Sequence, residues 1–244
     1  MRTQGDVGPR EAWGHERALS LYDRDVSAGV PDLVPALETI VLVGSFNPLI
    51  LDPNWLLKQQ VISQFELEQV QETGKALISR QVALMEFRTF SLQADPNRVQ
   101  IAMTQEAETP LLLADVVAKI FGVLAHTPVN AVGLNHSVHR ETIDDHAERI
   151  LDLLAPQAAA ERLLASGRVE SLTWQADRDD DYAGRLYLSV QPSVHVQGLF
   201  LSVNDHFDLG DSGTGQSATR LVSEEWQHSL QRAEDVFGRV VGLV

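Results

Sequence analysis

Cysteine is absent from the 244-residue sequence, which excludes disulfide bonds, thiolate catalysis and zinc or iron–sulfur sites built on cysteine. Long apolar runs are also absent. The longest, residues 110–125, is interrupted by Asp115 and Lys119 and is too short to span a bilayer. The first residues lack the apolar core of a secretory signal. These absences predict a cytoplasmic protein with no membrane partner.

Positive charge is scarce. Lys and Arg together number 19 against 34 Asp and Glu, so the formal net charge is −15. The basic residues are scattered singly along the chain and form no cluster. Nucleic-acid binding depends largely on neutralising phosphates, and adhesion to anionic lipids depends on basic clusters. We therefore expect an acidic protein that binds neither nucleic acid nor a membrane surface.

The N-terminal residues 1–36 differ in composition from the rest of the chain. They are polar, are punctuated by Gly and Pro, and contain one apolar anchor of note, Trp13. We interpret them as an arm that is either disordered or bound to a partner. Residues 37–244 are predicted to form a single α+β domain, with halves at about 37–140 and 168–244 joined by a helical segment at 141–167.

Apolar spacing predicts the elements of that domain. Strands are expected at 39–43, 65–70, 82–92, 99–104, 129–138, 169–176, 184–190 and 194–204, with a tight connection at 191–193 and a β-bulge at Gly198. Helices are expected at 53–62, 110–124, 142–154, 157–166 and from 219 to the end.

The fold class follows from the order of these elements. Hairpins precede helices at 82–124 and again at 184–241, a faint internal repetition that suggests pseudo-duplicated hairpin-helix halves. The blocks do not follow strict βαβ alternation. We therefore predict an α+β fold, with antiparallel sheet carrying helices on one face and a long C-terminal helix. The apolar seam of that helix can serve the core, a partner helix or a homodimer; it comprises Val222, Trp226, Leu230, Ala233, Phe237, Val240 and Val244.

Metal-capable side chains are densest at residues 136–146, which contain His136, His139, Asp144, Asp145 and His146. A continuing strand would place His136 on the face of Val132, Leu134 and Val138, and His139 on the other face. Because the histidines then diverge, we favour a partly buried strand-end histidine over a metal site. We expect neither a metal nor another cofactor.

Two further acidic segments are candidates for chemistry. Residues 204–208, Asn-Asp-His-Phe-Asp, place a carboxylate next to an imidazole, as acid–base catalysis requires. Strand ends also collect such residues for turns, and we favour a turn here. The acids of residues 177–184 are spaced as at the start of a calcium loop. A complete loop would need Gly at the position of Tyr182 and Glu at the position of Leu188, so we favour a solvated hairpin loop.

Aromatic, amide and helix-capping residues that could form a binding site follow the first predicted strand. Phe46, Asn47 and Trp55, with Asp52-Pro53 between them, form either a binding edge or a strand-to-helix corner with Trp55 in the core. The Asp-Pro pair is typical of a helix start.

Two classes of function remain. The favoured hypothesis is a non-enzymatic interaction or assembly subunit of a cytoplasmic complex. Such a subunit would bind a protein partner, or itself, through the N-terminal arm and the C-terminal helix. The alternative is a small-molecule-binding protein or hydrolase with a His/Asp site in a sheet–helix cavity. For that alternative the candidate catalytic residues are His136, Asp205 and His206, and the candidate binding residues are Trp13, Phe46, Asn47 and Trp55.

Overall fold

A computed structural model describes residues 33–104, 106–107, 111–142, 145–163, 166–167 and 169–243. Residues 1–32 of the predicted N-terminal arm, which include Trp13, lie outside the described residues. So do Asp144 and Val244. Residues 33–36, which were predicted to belong to the arm, instead begin the first strand of the sheet.

The described chain forms one nine-stranded antiparallel sheet with order β2-β3-β4-β5-β1-β6-β9-β8-β7. The strands are β1 (Leu33–Gly44), β2 (Ala76–Ile78), β3 (Ala83–Glu86), β4 (Phe90–Ala94), β5 (Arg98–Met103), β6 (Val129–Glu141), β7 (Leu172–Asp177), β8 (Gly184–Pro192) and β9 (Gly198–Asp208). The α-helices are α1 (Pro53–Lys58), α2 (Gln64–Thr73), α3 (Leu111–Val123), α4 (His146–Leu154), α5 (Gln157–Leu163) and α6 (Gly215–Val241), with a 3-10 turn at Pro48–Ile50. The predicted α+β class with a long C-terminal helix is confirmed.

The sheet is built from two halves with the same connectivity. Each half begins with a central strand, β1 or β6, and continues through two short helices. A meander of strands follows, and its last member, β5 or β9, returns to pair with the first strand of the same half. Each half then ends in a helix, α3 or α6, and these two helices pack against each other. The two halves thus repeat in topology. By this repetition α4 and α5, which were predicted as a segment that joins the halves at 141–167, correspond to α1 and α2 and belong to the second half.

The halves meet where β1 and β6 pair antiparallel along nearly their whole length, with Glu38 directly opposite His136. The buried apolar residues form two core clusters, a first around Ile40 and Trp226 and a second around Leu201 and Phe237. Both take their sheet residues from one side of the sheet, the side on which α1, α2, α3, α4 and α6 pack. We call the other side the open face. It carries a row of polar residues in register across five strands: Thr39, Asn135, Asn204, Tyr187 and Gln175.

Helix α6 uses its predicted apolar seam within its own chain. Val222, Trp226, Ala233, Phe237 and Val240 are buried against the sheet and the neighbouring helices. The helix begins at Gly215, four residues before the predicted start, because Thr214 and Ser217 form a capping box. The seam therefore serves the core, and only the outward face of α6 remains for a partner.

Several local predictions were wrong. Residues 65–70 belong to helix α2, which a capping box between Ser63 and Glu66 starts. The predicted strand at 82–92 is two strands, β3 and β4. The tight connection at 191–193 is instead the longer loop 193–197. Gly198 is the first residue of β9, and neither neighbouring strand shows a register shift there. Residues 204–208 form the end of β9 instead of a turn, because they pair with β6.

Candidate functional site

Seven polar side chains converge between the sheet and α6, and we call them the buried polar cluster. The sheet contributes from β1, β6 and β9, the β7–β8 loop contributes one arginine, and α6 contributes three side chains. The members are Glu38, His136, Asp205, Arg178, Glu225, Ser229 and Arg232. Two of the three predicted catalytic residues, His136 and Asp205, thus lie in one cluster. They are diagonal neighbours on β6 and β9, because Asp205 opposes Leu134 and Val203 opposes His136.

The first part of the cluster is a hydrogen-bonded relay of an acid, an imidazole and a hydroxyl. Glu38 Oε2 contacts His136 Nδ1, and His136 Nε2 lies 3.0 Å from Ser229 Oγ. With Glu38 ionised and the ring neutral, Nδ1 donates to Glu38 and Nε2 accepts the Ser229 hydroxyl proton. The ring of Trp226 packs 5.0 Å from the imidazole between centroids.

The second part is an ion network centred on Asp205, whose two carboxylate oxygens contact different arginines. Arg178 donates to Oδ1, and Arg232 donates to Oδ2 from Nε at 3.0 Å and from Nη2 at 2.6 Å. Arg232 Nη2 also donates to Glu225 Oε2 at 2.8 Å. The Arg178 guanidinium lies 3.8 Å from the centre of the Phe207 ring, so a cation–π contact supports its burial.

Burial and charge pairing act in opposite directions on these groups. Burial raises the pKa of Glu38 above its ordinary value, and the hydrogen bond from His136 offsets only part of that rise. Burial alone would lower the pKa of Arg232, but its hydrogen bonds to Glu225 and Asp205 raise it overall. Asp180, at the outer end of the network, has its pKa lowered by its hydrogen bond from Arg178.

The relay has the order of groups found in serine hydrolases, but it is closed to substrate. His136 and Ser229 are both 0% exposed, and Ser229 lies in the middle of α6. A nucleophile needs space for a reacting atom about 3 Å away. Two cavities of the described chain, of 410 and 830 Å³, lie beside α2 and beside α4, and neither is lined by a residue of the buried polar cluster. In this conformation the relay holds α6 on the sheet.

His206, the third predicted catalytic residue, lies apart from the other two. It follows Asp205 directly in β9, so its side chain points to the open face, where its partner on β6 is Gly133. His206 therefore lies on the opposite side of the sheet from His136 and Asp205.

The predicted binding residues near β1 take structural positions. Phe46 packs edge-on against Phe121 with ring centroids 6.0 Å apart. The Asn47 side chain accepts a hydrogen bond from Leu49 N at 3.2 Å and so caps the 3-10 turn. Trp55 is half-buried against the first core cluster and lies in α1, whose start at Asp52 was predicted. These contacts match the strand-to-helix corner more closely than a binding edge.

The histidines at 136–146 diverge as predicted, with His136 buried beneath α6 and His139 on the open face. Ser193 Oγ accepts the backbone N–H groups of His195 and Val196, which leaves its own proton to donate to His139 Nδ1. Burial lowers the pKa of His139, and the nearby His195 lowers it further. Among the described residues, no group of three His, Cys, Asp or Glu side chains is placed to hold a metal ion.

Five members of the cluster were not predicted from the sequence: Glu38, Arg178, Glu225, Ser229 and Arg232. Glu225, Ser229 and Arg232 share the face of α6 that carries Trp226, so polar residues on the apolar seam were the available signal. Arg178 belongs to the predicted hairpin loop between β7 and β8, but its side chain is buried, so that loop is only partly solvated.

Comparisons with known proteins give no family for this chain: no protein-family model and no curated protein matches it. Of the helices in the described ranges, none combines the length and the apolar character needed to cross a membrane.

Proposed function

We propose that this protein is a non-enzymatic interaction or assembly subunit of a cytoplasmic complex. One contrast supports the proposal. The side chains with catalytic chemistry are sealed between the sheet and α6, whereas the exposed features are surfaces on which another chain can lie. These surfaces are the outward face of α6 and the outer edge of β7, where residues 173–177 are all exposed. The N-terminal arm with Trp13 remains part of the proposal.

The first test asks whether the protein is assembled in its own cells. Native mass spectrometry of the tagged full chain from its own lysate should give a homo-oligomer or a stoichiometric protein complex. A variant lacking residues 1–32 tests the arm and spares β1, which begins at Leu33. A monomer carrying a small-molecule adduct would contradict the proposal.

A hydrolase is the second candidate, because the Glu38–His136–Ser229 relay has the required order of groups. A fluorophosphonate probe, which labels activated serines, separates the two functions. We expect no labelling of the wild type, because Ser229 Oγ is inaccessible. Labelling that disappears in Ser229→Ala but persists in Ser223→Ala, an exposed serine of the same helix, would establish the hydrolase instead.

A further inference from the structure

The two edges of the sheet differ in how well they are protected. The β2 edge has only three residues, Ala76–Ile78, and follows directly on Lys75, which pairs with Glu86. The β7 edge has six residues, Leu172–Asp177, with no proline, lysine, arginine or bulge among them. Natural sheets protect their free edges with such features, so a long edge without them is suited to pairing with another strand.

The internal repetition of the sheet shows what is missing beside β7. In the second half β7 occupies the place that β3 occupies in the first, and the outer edge of β3 is paired with β2. Residues 164–171, which precede β7, form no strand where the structure describes them. The described part of the second half therefore ends one strand earlier than the first.

We propose that the outer edge of β7 pairs with β7 of a second copy of this chain. This inference rests on the proposed interaction function and names the partner and the surface. Two antiparallel strands in a continuous sheet are related by a two-fold axis perpendicular to that sheet, so the interface is isologous and closes as a dimer. Each copy then supplies the strand that the other lacks.

The alternation of side chains restricts the register of this pairing. Trp174 lies opposite Leu188, which is packed against the second core cluster, so Trp174 is on the helix-bearing side of the sheet. A two-fold axis perpendicular to the sheet keeps that side continuous across both copies, so each residue must oppose one of the same side. A register centred on Trp174 meets this condition and places the two Trp174 rings, each 38% exposed, against one another. Leu172 then opposes Ala176 of the other copy.

The charges along the strand are compatible with self-pairing despite the net charge of −15. Asp177 is the only charged residue of β7, and in this register it opposes Ser171 of the other copy. The two Asp177 side chains are then six residues apart, which is about 20 Å at the rise of a strand. That separation exceeds the Debye length of about 8 Å at physiological salt, so their repulsion is screened.

Cross-linking tests the register directly, because the chain has no cysteine of its own. Thr173 of one copy should oppose Gln175 of the other, and opposed Cα atoms in antiparallel strands lie about 4.5–5.5 Å apart, within disulfide range. Mixing full-length Thr173→Cys and Gln175→Cys proteins with different tags should therefore give an oxidised heterodimer and leave Trp174 intact. Leu77→Cys, on the opposite edge and 57% exposed, is the matched control and should not cross-link.

Charge substitution at the axis provides a second measurement. Trp174→Lys and Trp174→Asp should each raise the dimer dissociation constant at least roughly tenfold, and an equimolar mixture should restore association as a heterodimer. Leu77→Lys should dimerise like the wild type. Light scattering and native mass spectrometry of the purified full chain report the stoichiometry, and circular dichroism confirms that each variant folds.

A purified wild type that stays monomeric, or dimerises without the cross-link between positions 173 and 175, overturns this inference. If the chain then still forms a stoichiometric complex with a different protein in its own cells, the proposed interaction function stands and only the self-pairing is wrong. If it is a monomer in both settings, both proposals fail.

Discussion

Glu38 on β1 and His136 on β6 face each other where the two halves of the sheet pair, and their side chains are hydrogen-bonded beneath α6. Ser229, on the helix above, completes the relay from the other side of the imidazole. The relay thus connects both halves of the sheet to the helix that ends the second half. Its groups are those of a catalytic site, but they are buried. The relay therefore connects the sheet to α6, and its contribution to the free energy of unfolding can be measured.

Removal of the Ser229 hydroxyl should destabilise the protein. Ser229→Ala leaves the buried Nε2 of His136 without its partner, which costs about 1–3 kcal/mol of unfolding free energy. Urea denaturation followed by circular dichroism measures the effect. Ser223→Ala makes the same change at an exposed position of α6 and should be neutral or slightly stabilising. Equal effects at the two positions would show that the relay does not hold the helix.

Loss of Arg178 should cost more than loss of an exposed arginine. Arg178→Met leaves one oxygen of the fully buried Asp205 without its cation, and we expect a loss of about 3 kcal/mol, measured by urea denaturation. Arg185→Met removes an exposed ion pair to Asp177, with a 3.8 Å separation, and should change stability by less than about 0.5 kcal/mol.

A double variant separates the ion pair from the packing of the Arg178 side chain. In Arg178→Met with Asp205→Asn, the buried charge is removed together with its partner. Part of the stability lost in Arg178→Met should therefore return. Asp205→Asn alone completes the cycle and accounts for the contact between Asp205 and Arg232. A loss in the double variant equal to the sum of the two single losses would mean that Arg178 and Asp205 do not interact.

The buried carboxylate of Glu38 predicts a pH dependence of defined sign. Its pKa in the folded protein is raised above the ordinary value of 4.5, chiefly by burial. The stability that Glu38 contributes is therefore fully present below the unfolded pKa and is lost as the pH rises through the folded pKa. Glu38→Gln lacks this loss and still offers an acceptor oxygen to His136 Nδ1.

The unfolding free energy of Glu38→Gln, relative to that of the wild type, should thus increase as the pH rises above about 4, by at most about 1.4 kcal/mol per pH unit. Denaturation at a series of pH values measures it. Glu72→Gln, on the exposed side of α2, controls for the loss of one carboxylate. A relative stability that falls with pH would mean that the attraction of His136 outweighs the burial of Glu38.

Gly184 begins β8, and its lack of a side chain allows the close approach of β9. A Cβ atom there would lie 2.0 Å from His206 O, and the φ angle is +142°. Gly184→Ala should therefore displace the β8–β9 pairing and destabilise strongly. Gly74→Ala, at φ +65° with open space around it, should cost only about 1–2 kcal/mol of backbone strain. Thermal unfolding of the two variants compares the effects, and similar losses would show that β9 yields to a Cβ at position 184.

Local chemistry in the sequence was sufficient for many elements. The alternation of residues 99–104 predicted β5, and the Asp52–Pro53 pair predicted α1, which Asp52 caps through the N–H groups of Asn54 and Trp55. Where two local signals competed, the sequence was misleading. Residues 65–70 alternate like a strand, yet the capping box at Ser63 and the burial of Leu67 and Val70 on one helix face decide for α2.

The buried polar cluster could not be predicted to the same extent, because its members are far apart in the sequence. Glu38 and His136 become neighbours only through the β1–β6 register, and register depends on the pairing of the whole sheet. The parity of β6 did separate His136 from His139. It was not applied to Asp205 and His206, which were grouped as one site although consecutive residues of a strand point to opposite faces. The burial of Arg178 depends on the path of a loop, on which apolar spacing carries no information.

The β1–β6 seam also bears on how such a sheet can originate. Two identical chains with the connectivity of one half would pair their first strands about a dyad, and like residues would oppose each other at its centre. Here the middle of the seam carries an acid on one strand and an imidazole on the other. This difference is possible because both halves belong to one polypeptide, in which β1 and β6 can have different sequences. A difference between the two central strands is therefore the condition for a buried acid–imidazole bond where they pair.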